Sequence, residues 1–446
     1  YIKYTIGDFM NFQIISDLHG RINRMEINKK ADILLFAGDS SENLDITFKM
    51  LKSSSIPVLF IPGNHEFYHK DYYDTYMRLK EFCDQSNGNI IFLDNEVVEI
   101  DDYQIIGNTL WSDFLNLDPF LIEAAWSTIN DYRCISTKNQ TNENLEEILY
   151  FHKIHSDNIK NIMLGNDNVK KDIMGQFLNK RLSVFNKNKE YDYINPDFFT
   201  PYHSFVMNKK NKKWIKDTLS NEFNGKRIVM THHSPSYSPL VLGEYLASPF
   251  ALNRKELIRK NAFHKIGAYC NSMESIMLNS HVDTWIHGHF HEFLNYRMGS
   301  SHVICNATGN KKNEDMSYRN YIFNCSQEEK LAGLKNQLFL FGKTISSLLK
   351  FFSESIFTEI NFKEMANTAY IRGYWREVEI ILNNIQSLPY TEIPKEFNNY
   401  YPNPFVMFEN NENVSLSDND FKNLINTVSI ELKFMEVEIK NWSLSI

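Results

Sequence analysis

An α/β fold is predicted by three observations. Short apolar runs recur along the first two-thirds of the chain, amphipathic stretches separate the first of them, and each run ends on a turn carrying a polar cluster. Residues 12–15 form the first run and stop at Ser16-Asp17-Leu18-His19. The second, 33–37, stops at Gly38-Asp39, and the third, 57–61, stops at Pro62-Gly63-Asn64-His65-Glu66. Runs at 228–230 and 284–286 stop at Thr231-His232-His233 and at His287-Gly288-His289-Phe290-His291. Each run is rich in β-branched or aromatic residues and bounded by turn formers, so each reads as a buried strand. The stretch 46–51 has helical amphipathicity between the second and third. All five clusters follow the C-terminal end of a strand, the edge on which open α/β sheets place their sites. Further strands are expected at 90–93, 97–100, 103–106 and 303–305, and the close spacing of the first three suggests an antiparallel meander.

Length and composition bound the rest. A chain of 446 residues, 43 % hydrophobic, fits two or three units with a substantial core. The net charge of −8 argues against a strongly basic nucleic-acid binder. Cys83, Cys134, Cys270, Cys305 and Cys325 are scattered singly and odd in number, which suggests no disulfide framework and a reducing, cytoplasmic setting. The first eight residues lack the apolar core of a secretory signal, and no apolar run approaches the ~18 residues of a membrane helix. Met10 reads as a natural initiator, which leaves residues 1–9 as a vector-derived or extended N-terminus. A catalytic body would then span 10–325. Within it, an Asn- and Lys-rich insertion at about 136–196 reads either as a cap over the site or as a solvated excursion. Beyond it, 326–446 carries three amphipathic stripes, the first a heptad seam of Leu331, Leu334, Leu338, Phe341, Ile345, Leu348 and Phe352. They predict a C-terminal helical module that packs on the body, or that meets a partner or a second copy. The basic run Lys209, Lys210, Lys212, Lys213 and Lys216 reads as a solvated helix face rather than a polyanion site.

The chemistry lies in the five clusters. They offer carboxylate, imidazole and amide groups, a ligand set for divalent cations. Two such ions held together are most simply explained by hydrolysis of phosphate esters. Taken alone, Asp17 could cap a helix and Gly38-Asp39 could be an ordinary turn. Their joint order carries the reading.

That order, D-x-H, G-D, G-N-H-[DE], a lone His and G-H-x-H, resembles the calcineurin-like metallophosphoesterases over residues 10–312. The resemblance implies a four-layer α/β/β/α sandwich. It implies one metal on Asp17, His19, Asp39 and His291, and another on Asp39, Asn64, His232 and His289, with Asp39 bridging. A shared carboxylate offsets repulsion between dications ~3.5–4 Å apart, and a water between them becomes an attacking hydroxide near neutral pH. By the same resemblance, His65 is the catalytic residue that protonates the leaving oxygen or stabilises the charge on phosphorus. Mn²⁺ is the expected metal, with Fe or Zn as alternatives. His233 and His287 adjoin ligands and are expected to hydrogen-bond rather than coordinate. His69, His152, His155 and His264 read as surface or packing residues.

Ser40-Ser41 and Pro62 stand where the phosphoprotein phosphatases carry phosphate-clamping arginines, which argues against that branch. The stretches 107–114, 130–133 and 196–219, with His203 and Trp214, resemble a bacterial group of stand-alone metallophosphoesterases. That group's Pro-Arg-Gly-Tyr is replaced here by Ala307-Thr308-Gly309-Asn310, which leaves the substrate open between a small phosphomonoester and a phosphodiester. Arg133 and Asn108 are weak candidates for substrate contact, and a surface salt bridge serves Arg133 equally well. A metal-dependent nuclease and a non-catalytic scaffold of the same fold are the alternatives.

Overall fold

Parallel pairing of the apolar runs builds the first sheet in the computed structural model, which describes residues 10–185, 194–195, 197–236, 267–291, 293–298, 301–308, 321–323 and 325. Residues 1–9, the stripes within 326–446, His264 and Gly309-Asn310 lie outside the described residues. β1 (Phe12–Ile15), β2 (Ile33–Ala37), β3 (Val58–Ile61) and β4 (Ile90–Phe92) run in one direction, with Ile14 opposite Leu35 and Leu35 opposite Leu59. The second sheet starts with the antiparallel hairpin of β5 (Glu96–Ile100) and β6 (Tyr103–Asn108). It continues through β7 (Lys226–Thr231) and β8 (Thr284–His287), both parallel to β6, and closes with β9 (Phe293–Met298) and β10 (Ser301–Asn306) in the order β5-β6-β7-β8-β10-β9. A short β11 (Ile322–Phe323) returns to pair antiparallel with β1.

The expected meander is therefore split. Its last two strands form a hairpin, whereas β4 joins the first sheet parallel to β3. Ile90 and Phe92 pack into the cluster that holds Leu79 and Cys83, so the preceding helix returns the chain to the first sheet. Only then does the chain cross over, through Asp94 and Asn95, the latter at φ 58°.

Alternation along the strands divides the core. Phe12, Ile14, Leu35, Leu59 and Ile61 face Tyr103, Ile105, Ile228, Met230 and Ile286, which forms an apolar layer between the sheets. On the outer side Leu34, Phe36, Val58 and Phe60 pack against α1 (Leu44–Lys52) and α2 (Tyr72–Asp84). Side-chain caps start these helices: Asn43 accepts from the Asp45 N–H, and Asp71 from those of Tyr73 and Asp74.

The longer helices between β6 and β7 pack on one another. α3 (Pro119–Trp126) is capped by Asp118, and α4 (Asp131–Cys134) follows within a few residues. The insertion is helical over its described part, with α5 (Asn142–Leu164) and α6 (Asn168–Phe185). Both touch α3, and α5 also touches α7 (Pro201–Ser220). The buried Glu123 of α3 ties the group together, since its Oε1 lies 2.9 Å from both Arg181 Nη1 and His155 Nε2. His155 is thus a packing residue. His203 accepts from the Thr200 N–H at 3.0 Å and so caps α7, while burial holds its pKa down to about 3. α8 (Glu274–Asn279) precedes β8. Among the described residues no helix is long and apolar enough to cross a membrane.

Candidate metal centre

The five polar turns meet at one edge, where the parallel strands of both sheets end. Asp17 and His19 follow β1, Asp39 follows β2, Asn64 and His65 follow β3, His232 follows β7, and His289 and His291 follow β8. Backbone bonds extend the pairing past the strands: Asp17 N–H donates to Gly38 O at 3.0 Å and His19 N–H to Asp39 O at 3.0 Å. Five of these residues have left-handed backbones, with φ of 58° at Asp17, 46° at His19, 57° at Asp39, 69° at His289 and 57° at His291. This conformation is sparsely populated outside glycine and asparagine, and here it turns side chains inward. Gly63 lets the turns close up. A Cβ there would lie 2.2 Å from Asp39 Oδ1 and 2.6 Å from His232 Cε1.

Two groups of ligand-type atoms result. Asp17, His19, Asp39 and His291 form one, and Asp39, His232 and His289 the other, each with its ligand atoms within 4.8 Å of one another. Asp39 belongs to both. In the first group His19 Nε2 and His291 Nε2 are 3.0 Å apart, and His291 Nε2 is 3.3 Å from Asp17 Oδ1. In the second, His232 Nε2 lies 3.1 Å from Asn64 Oδ1, 3.2 Å from His289 Nδ1 and 3.5 Å from Asp39 Oδ1.

Hydrogen bonding supports a cation here. His232 Nδ1 is 2.9 Å from the Ala37 carbonyl, so Nδ1 carries the proton and Nε2 presents a lone pair. That lone pair faces the amide oxygen of Asn64, another acceptor. Two acceptors in contact need a proton or a metal between them. Among the described residues, Asp39 Oδ2 and His289 Nε2 are buried with no hydrogen-bond partner. Oxygen and imidazole donors of this kind fit a hard-to-borderline divalent ion.

The electrostatics suit coordination at Asp39 and His19. At His232 burial acts downward, but Asp39 and Asp17 outweigh it and hold the pKa above its usual value, so a proton competes with a cation there. Burial would raise the Asp39 pKa, but His232, His65 and His19 outweigh it and keep the carboxyl ionised. Burial drives His19 down to about 4, which leaves its ring neutral and free to coordinate at pH 7. For His65, burial acts downward, yet Asp39, Asp131 and the bond to Glu42 prevail and hold it above the usual value. Its Nδ1 lies 3.1 Å from Glu42 Oε1, and its Nε2 lies 3.9 Å from Asp39 Oδ2.

The neighbours divide as expected. His233 Nδ1 faces the Thr109 carbonyl at 3.3 Å, and His287 Nδ1 that of Gly288 at 3.0 Å. Burial pulls His233 to about 3 and His287 to about 4. Asn108 donates to Asn95 Oδ1 at 2.7 Å and accepts from the Leu110 N–H at 2.5 Å, so both ends of its amide are engaged within the protein. The Arg133 guanidinium bonds the carbonyls of Thr128 and Ile129 at the end of α3.

Four contributors were missed from sequence. Glu66 is buried, with Oε2 accepting from Asp39 N–H at 3.1 Å and Gly63 N–H at 2.8 Å, and Oε1 from Ser40 N–H at 2.5 Å and Ser40 Oγ at 2.6 Å. Its place two residues after Asn64 was a usable signal. Glu42 lies three residues after Asp39, which was another. Asp131 contacts Asn64, and Tyr269, whose ring centroid is 4.1 Å from that of His289, gave no signal.

Fold and site together support a metal-dependent phosphoesterase in general. Residues 10–172 match the model of the calcineurin-like phosphoesterase family. The chain is 26 % identical over 267 residues to uncharacterized protein L509 of Acanthamoeba polyphaga mimivirus, covering 58 % of this chain and 71 % of that protein. That relative is viral, whereas the resembling group was bacterial. Among solved structures, the phosphopantetheinyl hydrolase PptH of Mycobacterium tuberculosis gives a TM-score of 0.41 at 12 % identity, covering 70 % of this chain and 95 % of that one. TT1561 of Thermus thermophilus gives 0.36 at 9 % identity, covering 72 % and 97 %.

Proposed function

We propose that the chain is a dinuclear phosphoesterase acting on a small phosphomonoester or phosphodiester, with Mn²⁺ as its working metal. The observation that carries this is Asp39, shared by two groups of ligand-type atoms. One ion would rest on Asp17, His19, Asp39 and His291, the other on Asp39, Asn64, His232 and His289. A bound pair of divalent ions supplies Lewis acidity toward a phosphoryl oxygen and a nucleophile drawn from water at neutral pH. The chain's own residues supply the rest. His65, with Nε2 toward the cluster and Nδ1 held by Glu42, keeps a proton near neutral pH and gives it to the leaving oxygen. Only Asp17 and Asp39 among these ligands carry negative charge, so a bound pair of divalent ions would leave the pocket net positive and attractive to a phosphate.

The nuclease reading gains no support from the basic run. Lys209 and Lys210 lie 3.6 Å from Glu147, and Lys212 and Lys213 bond Asp113 and Asp217. Among the described residues the five cysteines form no disulfide, and we place the protein in a reducing, cytoplasmic setting.

The test is a Mn²⁺-supplemented screen of p-nitrophenyl phosphate, its bis-ester, cyclic nucleotides and single-stranded DNA, run beside Asp39→Asn. Turnover of one ester class that collapses in Asp39→Asn is expected. Activity in that variant equal to wild type would overturn the assignment, and preference for DNA would favour the nuclease.

A further inference from the structure

Asp131, at the start of α4, is buried at 2 % exposure and touches the metal centre through one atom. Its Oδ1 accepts from Asn64 Nδ2 at 2.8 Å and from the Tyr68 hydroxyl at 2.7 Å. Asn64 Nδ2 lies 3.2 Å from that same hydroxyl oxygen, so the three groups form a closed triangle. On the far side of the amide, Asn64 Oδ1 lies 3.1 Å from His232 Nε2.

A primary amide is nearly symmetric in shape, and only its partners decide which end points where. An oxygen ligand and an amine donor are opposites to a cation, since one coordinates and the other repels. The choice must therefore be imposed from behind. A carboxylate oxygen only accepts, so it pairs with Nδ2 and forces Oδ1 toward His232. No other side chain is found bonded to Asn64 Nδ2 among the described residues except Tyr68, whose hydroxyl could serve either end of the amide because it both donates and accepts.

We propose that Asp131 is a positioning residue that selects the oxygen face of Asn64 for the second metal ion. The inference rests on the dinuclear reading above. It predicts asymmetric damage. Removing the acceptor at 131 frees the amide to turn, which weakens the ion on Asn64, His232 and His289, and leaves the ion on Asp17, His19 and His291 undisturbed.

The experiment titrates the full metal-free chain with Mn²⁺, followed by calorimetry and by electron paramagnetic resonance, in wild type, Asp131→Leu and Asp131→Asn. Wild type should take two ions. Asp131→Leu should bind one ion within about twofold of wild type and the other ~10–100-fold more weakly, the range usual for removing a partner of a metal ligand. Asp131→Asn keeps an acceptor oxygen and should recover most of that loss. It also carries the test if the leucine variant does not fold, because a few-fold loss confined to one ion is still expected. Equal affinities in all three proteins, or equal weakening of both ions, would overturn the inference. A wild type that takes fewer than two ions would overturn the dinuclear reading and the inference with it.

Discussion

Replacing Glu66 by Gln tests how the turns after β2 and β3 are held in register. The carboxylate accepts four hydrogen bonds, two at each oxygen, from Asp39, Gly63 and Ser40. Gln must put an NH₂ where one oxygen was. At the Oε2 position it would meet two backbone N–H groups, neither of which can turn away. At the Oε1 position it meets one N–H and the Ser40 hydroxyl, and the hydroxyl can rotate to accept. The variant will adopt the second arrangement, with the Ser40 N–H left without an acceptor. One buried N–H without a partner costs ~1–3 kcal/mol, and each remaining bond weakens as the charge is lost. Removal of a buried charge beside Asp39 offsets part of this. The net destabilisation is ~2–4 kcal/mol. Urea unfolding of the metal-free proteins at neutral pH measures it directly. A variant within ~0.5 kcal/mol of wild type, the ordinary range for a neutral surface change, would refute the account of Glu66 as the clasp between the two turns.

Other outcomes follow from the same geometry. His65→Ala should keep its metal ions and lose ~10²–10⁴-fold in kcat, so unchanged turnover would remove the acid role. Gly63→Ala should abolish tight Mn²⁺ binding in a calorimetric titration, because its Cβ would overlap Asp39 Oδ1 and His232. Binding like wild type would contradict that contact. Burial pushes Asp94 up to about 6 from 3.8, against the bond it accepts from the Thr109 N–H. The folded protein thus holds a proton that the unfolded chain releases, and stability falls as pH rises from about 4 through 6. Asp94→Asn removes this penalty and should gain up to ~3 kcal/mol on wild type between pH 4 and pH 8, read by urea unfolding in EDTA. A difference independent of pH would dismiss the burial argument.

Much of the architecture was legible because strands carry their signal locally. Residues 33–37 are apolar throughout and end at Gly38, and nothing distant is needed to read them as a buried strand. Pairing was less legible. Residues 90–92 and 97–100 are similar short apolar runs, and only the packing of α2 decides that they join different sheets. The ligand-type residues could be read from their turns, while their supports could not. Glu66 lies within a motif and Glu42 three residues after one, and both bond across to other turns. Asp131 lies 67 residues from Asn64 and meets it only through the fold.

The left-handed residues of the metal-type turns have a consequence for how such a chain can change. Each holds a Cβ in a conformation costing ~1–2 kcal/mol, so the five together set aside on the order of 5–10 kcal/mol. Glycine at any of them would relieve that strain and erase the side chain. A descendant released from its chemistry would thus drift toward greater heat resistance and silence at the same positions, and its inactivity could be read from new glycines before any assay.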